Sequence, residues 1–456
     1  MTGRLLICGP GSGCGKTTVT CGLLQALVDR GPAPAAFKSG PDYIDPMFHS
    51  RIIGAPSRNL DLFLMGREGV LASLSRHGAG RLSVIEGAMG YYDGIALGPE
   101  ASAYDLARQT RTPAVLVVDG RGSALSLGAL VTGFRDFLPE GGIRGVILNR
   151  VSPMLYPRLK QMLEARTGLR VYGFLPPCPE AELDSRHLGL VTAAEVPGLK
   201  RKLSVLAELA RQHLDLAGLT ELAAQAPPLP AVPDGGLEPV PGRPRIGLAQ
   251  DRAFCFYYQD GLRLLEELGA ELVPFSPLAD PALPPGLSGL YLGGGYPELY
   301  GPELAENQSL LRSVRQAVRA GMPTVAECGG YLYLHRELED AEGRCWPMAG
   351  VLPWRGYPTG KLGRFGYVRL TARCGGLLAE QGQTLPAHEF HYWQSDAPEG
   401  DFLARKPQSS RCWQGGCHSP SLYAGFGHLH FCGVPQAARR FAAGCAAYQI
   451  RQRRDL

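Results

Sequence analysis

No apolar run in this chain approaches the roughly 20 residues needed to cross a bilayer, so a membrane is not an expected partner. The chain also lacks the charged and apolar regions and small-residue cleavage site of a signal peptide at its start. It passes directly into Leu5-Leu6-Ile7-Cys8, and a cytoplasmic protein is expected. An excess of charge of either sign is lacking: the formal net charge is only +4 over 456 residues, and the basic stretch from Arg451 to Arg454 reads as a solvated helix end. Nucleic acid is therefore not expected as a partner. The twelve cysteines include no C-x-x-C pair and no zinc-type Cys/His spacing, which points to reduced thiols rather than a disulfide framework. There is no short-period repeat.

What is present is the ordinary makeup of a globular protein, 45% hydrophobic and 19% charged, in a chain too long for one core. Between Ala226 and Pro244 the sequence reads A-P-P-L-P-A-V-P-D-G-G-L-E-P-V-P-G-R-P. Proline removes backbone donors and fixes φ, so neither a helix nor a central strand can run through it. The expected organisation is a domain over 1–225, a linker over 226–244 and a second domain over 245–456. In both domains short β-branched runs alternate with longer amphipathic stretches. Ala114-Val115-Leu116-Val117-Val118 and Val146-Ile147-Leu148 lie before the linker, Arg245-Ile246-Gly247-Leu248 and Leu290-Tyr291-Leu292 after it. Such alternation predicts an α/β fold with mostly parallel sheets covered by helices.

After the first strand comes Gly9-Pro10-Gly11-Ser12-Gly13-Cys14-Gly15-Lys16-Thr17-Thr18, leading into a predicted helix near Lys16. Strand, glycine loop, Lys-Thr and helix in this order describe a phosphate cradle. Backbone N–H groups of Gly11, Gly13 and Gly15 and the helix N-terminus, with Thr18, are expected to hold phosphate oxygens. Lys16 would offset β/γ charge and the Thr17 hydroxyl would ligate Mg²⁺, so ATP and Mg²⁺ are the expected cofactors. The leading glycine sits one residue earlier than in G-x-x-x-x-G-K-[ST], a variant that resembles the dethiobiotin synthetase branch of P-loop enzymes. Two further strand ends carry acids, Glu86 in Val84-Ile85-Glu86-Gly87 and Asp119 in Val117-Val118-Asp119-Gly120. Glu86 is placed to help hold Mg²⁺, against the plainer reading of a strand-end acid; for Asp119 the plainer reading is preferred. Lys38-Ser39-Gly40-Pro41-Asp42-Tyr43-Ile44-Asp45-Pro46 gathers one cation and two acids around Gly-Pro turns. Lys38, Asp42, Tyr43 and Asp45 are candidate substrate groups and Asp45 a candidate metal ligand, with turn capping as the competing role for the acids.

The second half contains Pro323-Thr324-Val325-Ala326-Glu327-Cys328-Gly329-Gly330-Tyr331, which reads as strand, sharp turn and helix. A strained turn exposes the Cys328 thiol where the following N–H groups and the helix dipole favour a thiolate and an oxyanion. The loop Gly293-Gly294-Gly295 is expected to add an oxyanion donor. For the base, Gly427-His428-Leu429-His430-Phe431 offers His428 and His430, and His388 and His391 are rivals.

Taken together, these residues resemble the cobyrinic acid a,c-diamide synthases over almost the whole chain. The resemblance rests on Phe37 through Pro46, Ser57-Arg58-Asn59-Leu60-Asp61, Val84-Ile85-Glu86-Gly87, Arg186-His187-Leu188-Gly189-Leu190-Val191, Glu327-Cys328-Gly329-Gly330-Tyr331 and His388-Glu389-Phe390-His391-Tyr392, in the family's order. It implies a P-loop amidoligase domain fused to an α/β class I-like glutamine amidotransferase domain, with Cys328 as nucleophile and His428 as its base. It further implies a cobyrinate-type tetrapyrrole and glutamine as substrates, and is compatible with a homodimer. ATP would convert an acetate carboxylate to an acyl phosphate, which ammonia released from glutamine would then attack at the a and c positions in turn. Two departures stand out: Ala424-Gly425-Phe426-Gly427 replaces a block that usually ends in Tyr-Leu, and His430 occupies the place of the orienting acid of class I glutaminases, leaving the third triad member unassigned. Hydrogenobyrinic acid and nickel-sirohydrochlorin are alternative substrates. A partner-switching P-loop ATPase would account for residues 1–225 but would leave Cys328 idle.

Overall fold

The computed structural model describes residues 3–181, 183, 196–232 and 236–454; the block at 186–191 lies outside them. The chain divides into two compact units. One comprises 1–62 and 66–233, the other 63–65 and 234–456, so the division falls inside the proline-rich stretch.

In the first unit the described residues form a seven-stranded parallel sheet. Its strands are β1 (Arg4–Cys8), β2 (Ala35–Ser39), β3 (Ser57–Leu60), β4 (Ser83–Glu86), β5 (Ala114–Asp119), β6 (Ile143–Asn149) and β7 (Arg170–Leu175). The order across the sheet is β3-β2-β4-β1-β5-β6-β7. Near-continuous apolar runs such as Leu5-Leu6-Ile7-Cys8 are what a strand covered on both faces requires, and all of β1 and β4 is buried. Because β1 lies between β4 and β5, the strand-end acids Glu86 and Asp119 flank the loop that follows β1, and the ligand crevice of such a sheet lies beyond these carboxyl ends.

The second unit repeats the principle with a different sheet. Strands β8 (Arg245–Ala249), β10 (Glu271–Phe275), β11 (Gly289–Leu292) and β13 (Thr324–Glu327) run parallel in the order β10-β8-β11-β13, and the parallel strand Leu422–Gly425 extends the sheet beyond β13. A short ladder pairs β9 (Phe254–Phe256) with β12 (Gly294–Gly295). A separate antiparallel sheet contains the long hairpin of Arg364–Ala372 with Thr384–His391, and the latter pairs with His428–Leu429. Apolar side chains of both sheets, among them Tyr291, Val325, Leu370, Ala387 and Tyr423, fill one core.

Candidate functional site

The phosphate loop leads into the helix Lys16–Val28. Gly15 has φ near 101°, and a Cβ there would lie 1.8 Å from the Asn149 amide nitrogen, so only glycine fits. The same Asn149 amide donates to the Cys14 carbonyl at 3.0 Å, tying the loop to the end of β6. The Lys16 ammonium folds onto its own loop, donating to the Gly11 carbonyl at 2.7 Å.

Sheet register builds the remainder of this site. Lys38 of β2 stands opposite Glu86 of β4 on one side and Asn59 of β3 on the other. Glu86 is fully buried; it accepts hydrogen bonds from the Thr17 hydroxyl at 2.6 Å and the Lys38 ammonium at 2.9 Å, and faces His49 at 3.3 Å. Burial alone would raise its carboxyl, but Lys38, His49 and Thr17 outweigh burial and hold it well below the usual carboxylate range. Lys38 also pairs with Asp45 at 2.6 Å. Two carboxylates thus share one ammonium, and burial pushes Asp45 above its usual range despite Lys38. Lys38, expected at the substrate, is buried with both carboxylates around it, and Asp45 meets Lys38. Asp42 caps a turn, accepting the Ile44 N–H at 2.7 Å, while the Asn59 amide holds the Gly40 and Asp42 carbonyls at 2.9 and 2.7 Å. Tyr43 is half-buried and immediately precedes the helix Ile44–Phe48. Asp119 is engaged by Arg121 and Arg150, both at 2.8 Å, in keeping with a structural acid.

Thr17 and Glu86 present adjacent hard oxygen donors, the chemistry Mg²⁺ prefers. Among the described residues no group of three or more His, Cys, Asp or Glu could hold a metal by itself. A cation here would take its other ligands from phosphate and water.

In the second unit, Cys328 stands between β13 and the helix Gly329–Tyr333 with φ near 49° and ψ near −99°. A positive φ at a non-glycine residue is strained backbone. Its N–H donates to the Gly425 carbonyl at 2.8 Å, which pins the turn to the neighbouring strand. His428 is hydrogen-bonded to Cys328, and its Nδ1 lies 3.6 Å from Oε2 of Glu327. Burial would lower this imidazole, yet Cys328 and Glu327 push it up to about 10, so the imidazolium is the favoured form. Glu327, just 1% exposed, also accepts the Leu429 N–H at 3.1 Å and the Tyr291 hydroxyl at 3.3 Å.

The other histidines go elsewhere. His430 stacks on Tyr258 with ring centroids 4.6 Å apart, and burial lowers it to about 4. His388 packs against Phe365 and Tyr367 and is lowered by burial to about 3. His391 stacks on Phe426, centroids 3.9 Å apart, and its Nδ1 bonds the Trp393 carbonyl at 2.6 Å. The Phe-Gly departure thus supplies the ring on which His391 lies. In the glycine loop, the Gly293 N–H is taken by the Tyr257 hydroxyl at 2.9 Å, which removes it as an oxyanion donor. A Cβ on Gly294 would lie 2.5 Å from Cε1 of His428, so this glycine walls the site.

Sequence reasoning missed Asn59, His49, Asn149 and Glu327 as site residues. Their signals were weak: Asn59, Asn149 and Glu327 are each a single polar residue at or near the end of a strand, His49 opens one helical turn, and only the tertiary fold gives them partners.

A P-loop sheet followed by a cysteine-elbow domain defines a nucleotide-binding domain joined to a glutamine amidotransferase domain. Residues 5–191 match the CobQ/CobB/MinD/ParA nucleotide binding domain and residues 245–435 the CobB/CobQ-like glutamine amidotransferase domain. The chain is 38% identical over 448 residues to the cobyrinate a,c-diamide synthase of Caldanaerobacter subterraneus subsp. tengcongensis, covering 97% of this chain and 98% of that one. It is 39% identical to the protein of that name from Salmonella typhimurium (96% and 97% covered) and 40% identical to the one from Listeria innocua (94% and 96%). The chain belongs to the cobyrinate a,c-diamide synthase family and is a carbon–nitrogen ligase of the glutamine amidotransferase kind. No helix among the described residues is long and apolar enough to cross a membrane.

Proposed function

We propose that the protein amidates the a and c acetate carboxylates of a cobyrinate-type tetrapyrrole, using ATP and either glutamine or ammonia. The observation that carries this reading is the presence of two complete constellations in one chain: Lys16, Thr17 and Glu86 at a phosphate loop, and Cys328, His428 and Glu327 at a strained elbow. A partner-switching ATPase needs only the first.

A carboxylate is a poor electrophile, so the first unit must activate it as an acyl phosphate. Gly11, Gly13, Gly15 and Thr18 hold the phosphates, and Lys16 lies where it can swing from the Gly11 carbonyl to the transferring group. Mg²⁺ would supply charge neutralisation there, held by Thr17 and Glu86. Lys38 keeps Glu86 ionised and orients Asp45, and Asp42 with Tyr43 stands beside them for the substrate. In the second unit the Cys328 thiolate attacks the glutamine carboxamide, and the His428 imidazolium protonates the departing ammonia. Glu327 orients and charges that imidazole, filling the third place. Ammonia, mostly ammonium at neutral pH, must reach the acyl phosphate unprotonated.

The test is Cys328→Ser assayed with both nitrogen donors. It should lose glutamine-dependent amidation and keep ATP-dependent amidation with ammonium salt at raised pH, followed as mono- and diamide mass gains. Equal loss with both donors in a folded, ATP-binding variant would place Cys328 in the ligase reaction instead. Offering cobyrinate, hydrogenobyrinate and nickel-sirohydrochlorin side by side identifies the macrocycle.

A further inference from the structure

A small cleft opens in the second unit along the backbone of Gly425, Phe426 and Gly427. This segment positions both reacting groups, since the Gly425 carbonyl holds the Cys328 N–H and Gly427 directly precedes His428.

Its polar lining consists of opposite charges. Glu389 faces the cleft although it is 3% exposed, and its Oε2 has no hydrogen-bond partner. Nε2 of His391 lies 3.7 Å away and likewise makes no hydrogen bond. A buried carboxylate oxygen left in this state is unfavourable unless a donor completes it. Arg364 lines the same cleft, its guanidinium held 4.7 Å over the Trp413 ring, where stacking leaves the planar edge available for a carboxylate. Arg364 and Glu389 come from the two strands of one hairpin, at pairing positions Arg364↔His391 and Gly366↔Glu389.

We propose that Arg364 and Glu389 recognise the zwitterionic head of glutamine. Arg364 takes the α-carboxylate, Glu389 takes the α-ammonium, and the side-chain amide is left to reach Cys328. The proposal rests on the glutaminase reading of this unit and deepens it, by naming what distinguishes glutamine from a simple amide.

The experiment labels Cys328 with two alkylating agents: a diazoketone analogue of glutamine, which carries the same head and loses N₂ on attack by the thiolate, and iodoacetamide, which has no head. In Glu389→Gln, diazoketone labelling should slow on the order of 30-fold or more, the usual consequence of breaking a buried charge pair, while iodoacetamide labelling proceeds as in the unaltered chain. Glutamine hydrolysis is then compared with hydrolysis of glutaramate, which lacks the α-ammonium, and of 4-aminobutanamide, which lacks the α-carboxylate. Discrimination against glutaramate should collapse in Glu389→Gln, and discrimination against 4-aminobutanamide in Arg364→Gln. Discrimination persisting undiminished in both variants overturns the proposal while leaving the glutaminase reading intact. An unaltered chain that neither hydrolyses glutamine nor is labelled by the diazoketone overturns both. Should one variant fail to fold, as shown by lost iodoacetamide selectivity for Cys328, the other decides.

Discussion

Replacing Glu327 by Gln removes one negative charge from beside His428 while keeping the side chain's length and an oxygen to accept the Leu429 N–H. Two unit charges 3.6 Å apart attract by about 4–5 kcal/mol at the effective dielectric of about 20 that suits protein sites. At 1.36 kcal/mol per factor of ten, the loss in glutaminase kcat/KM is bounded at roughly 10³-fold. The expected result is a fall of about 10²- to 10³-fold in glutamate release. The pH profile adds a readout that mere packing would not move. Burial opposes the charge on His428, and Cys328 and Glu327 raise it to about 10, so losing Glu327 must lower it. The imidazolium is needed to protonate ammonia, hence the alkaline limb of the glutaminase profile should move to lower pH. A variant with near-normal turnover and an unmoved alkaline limb would refute an orienting and charging role for Glu327.

Lys16→Ala should abolish amidation with glutamine and with ammonia alike, because both routes need the acyl phosphate; mass spectrometry of the products decides it. His428→Ala should suppress glutaminase turnover far more than His430→Ala, since losing one member of a nucleophile–base pair can reduce rate by on the order of 10⁶; the reverse ranking would transfer the role to His430. Gly294→Ala should slow glutamine hydrolysis at little change in thermal stability, as its Cβ would displace the His428 ring. Finally, burial holds His335 and His430 at about 4 against an ordinary 6.5, so the unfolded chain binds their protons first as pH falls. Their contribution is intact above pH 6.5 and is lost progressively towards pH 4, by about 3 kcal/mol for each group at 1.36 kcal/mol per pH unit. Urea midpoints measured between pH 7 and 4 should fall accordingly, and a flat profile would contradict it.

Local patterning was enough for much of this protein. The apolar runs of β1, β4 and β5, the glycine loop before Lys16, and the strand, turn and helix around Cys328 are each continuous in sequence, and their periods and turn chemistry specify them without distant partners. Choosing His428 over His430, His388 and His391 was not possible on spacing, since each of the four lies in a strand or directly after one. That choice depended on which ring the fold carries to Cys328 and which it packs on Tyr258, Phe365 or Phe426. The role of Lys38 likewise changed once parallel pairing placed it opposite Glu86, because a buried ammonium takes the nearest buried carboxylates. Glu327 stood beside the nucleophile in sequence, yet only the pairing of β13 with Leu422–Gly425 and the return of the chain at His428 gave its charge a partner. Elements follow from neighbours along the chain, whereas the charge state and aim of each site residue follow from groups dozens to a hundred residues away, held within a few ångströms by the sheets.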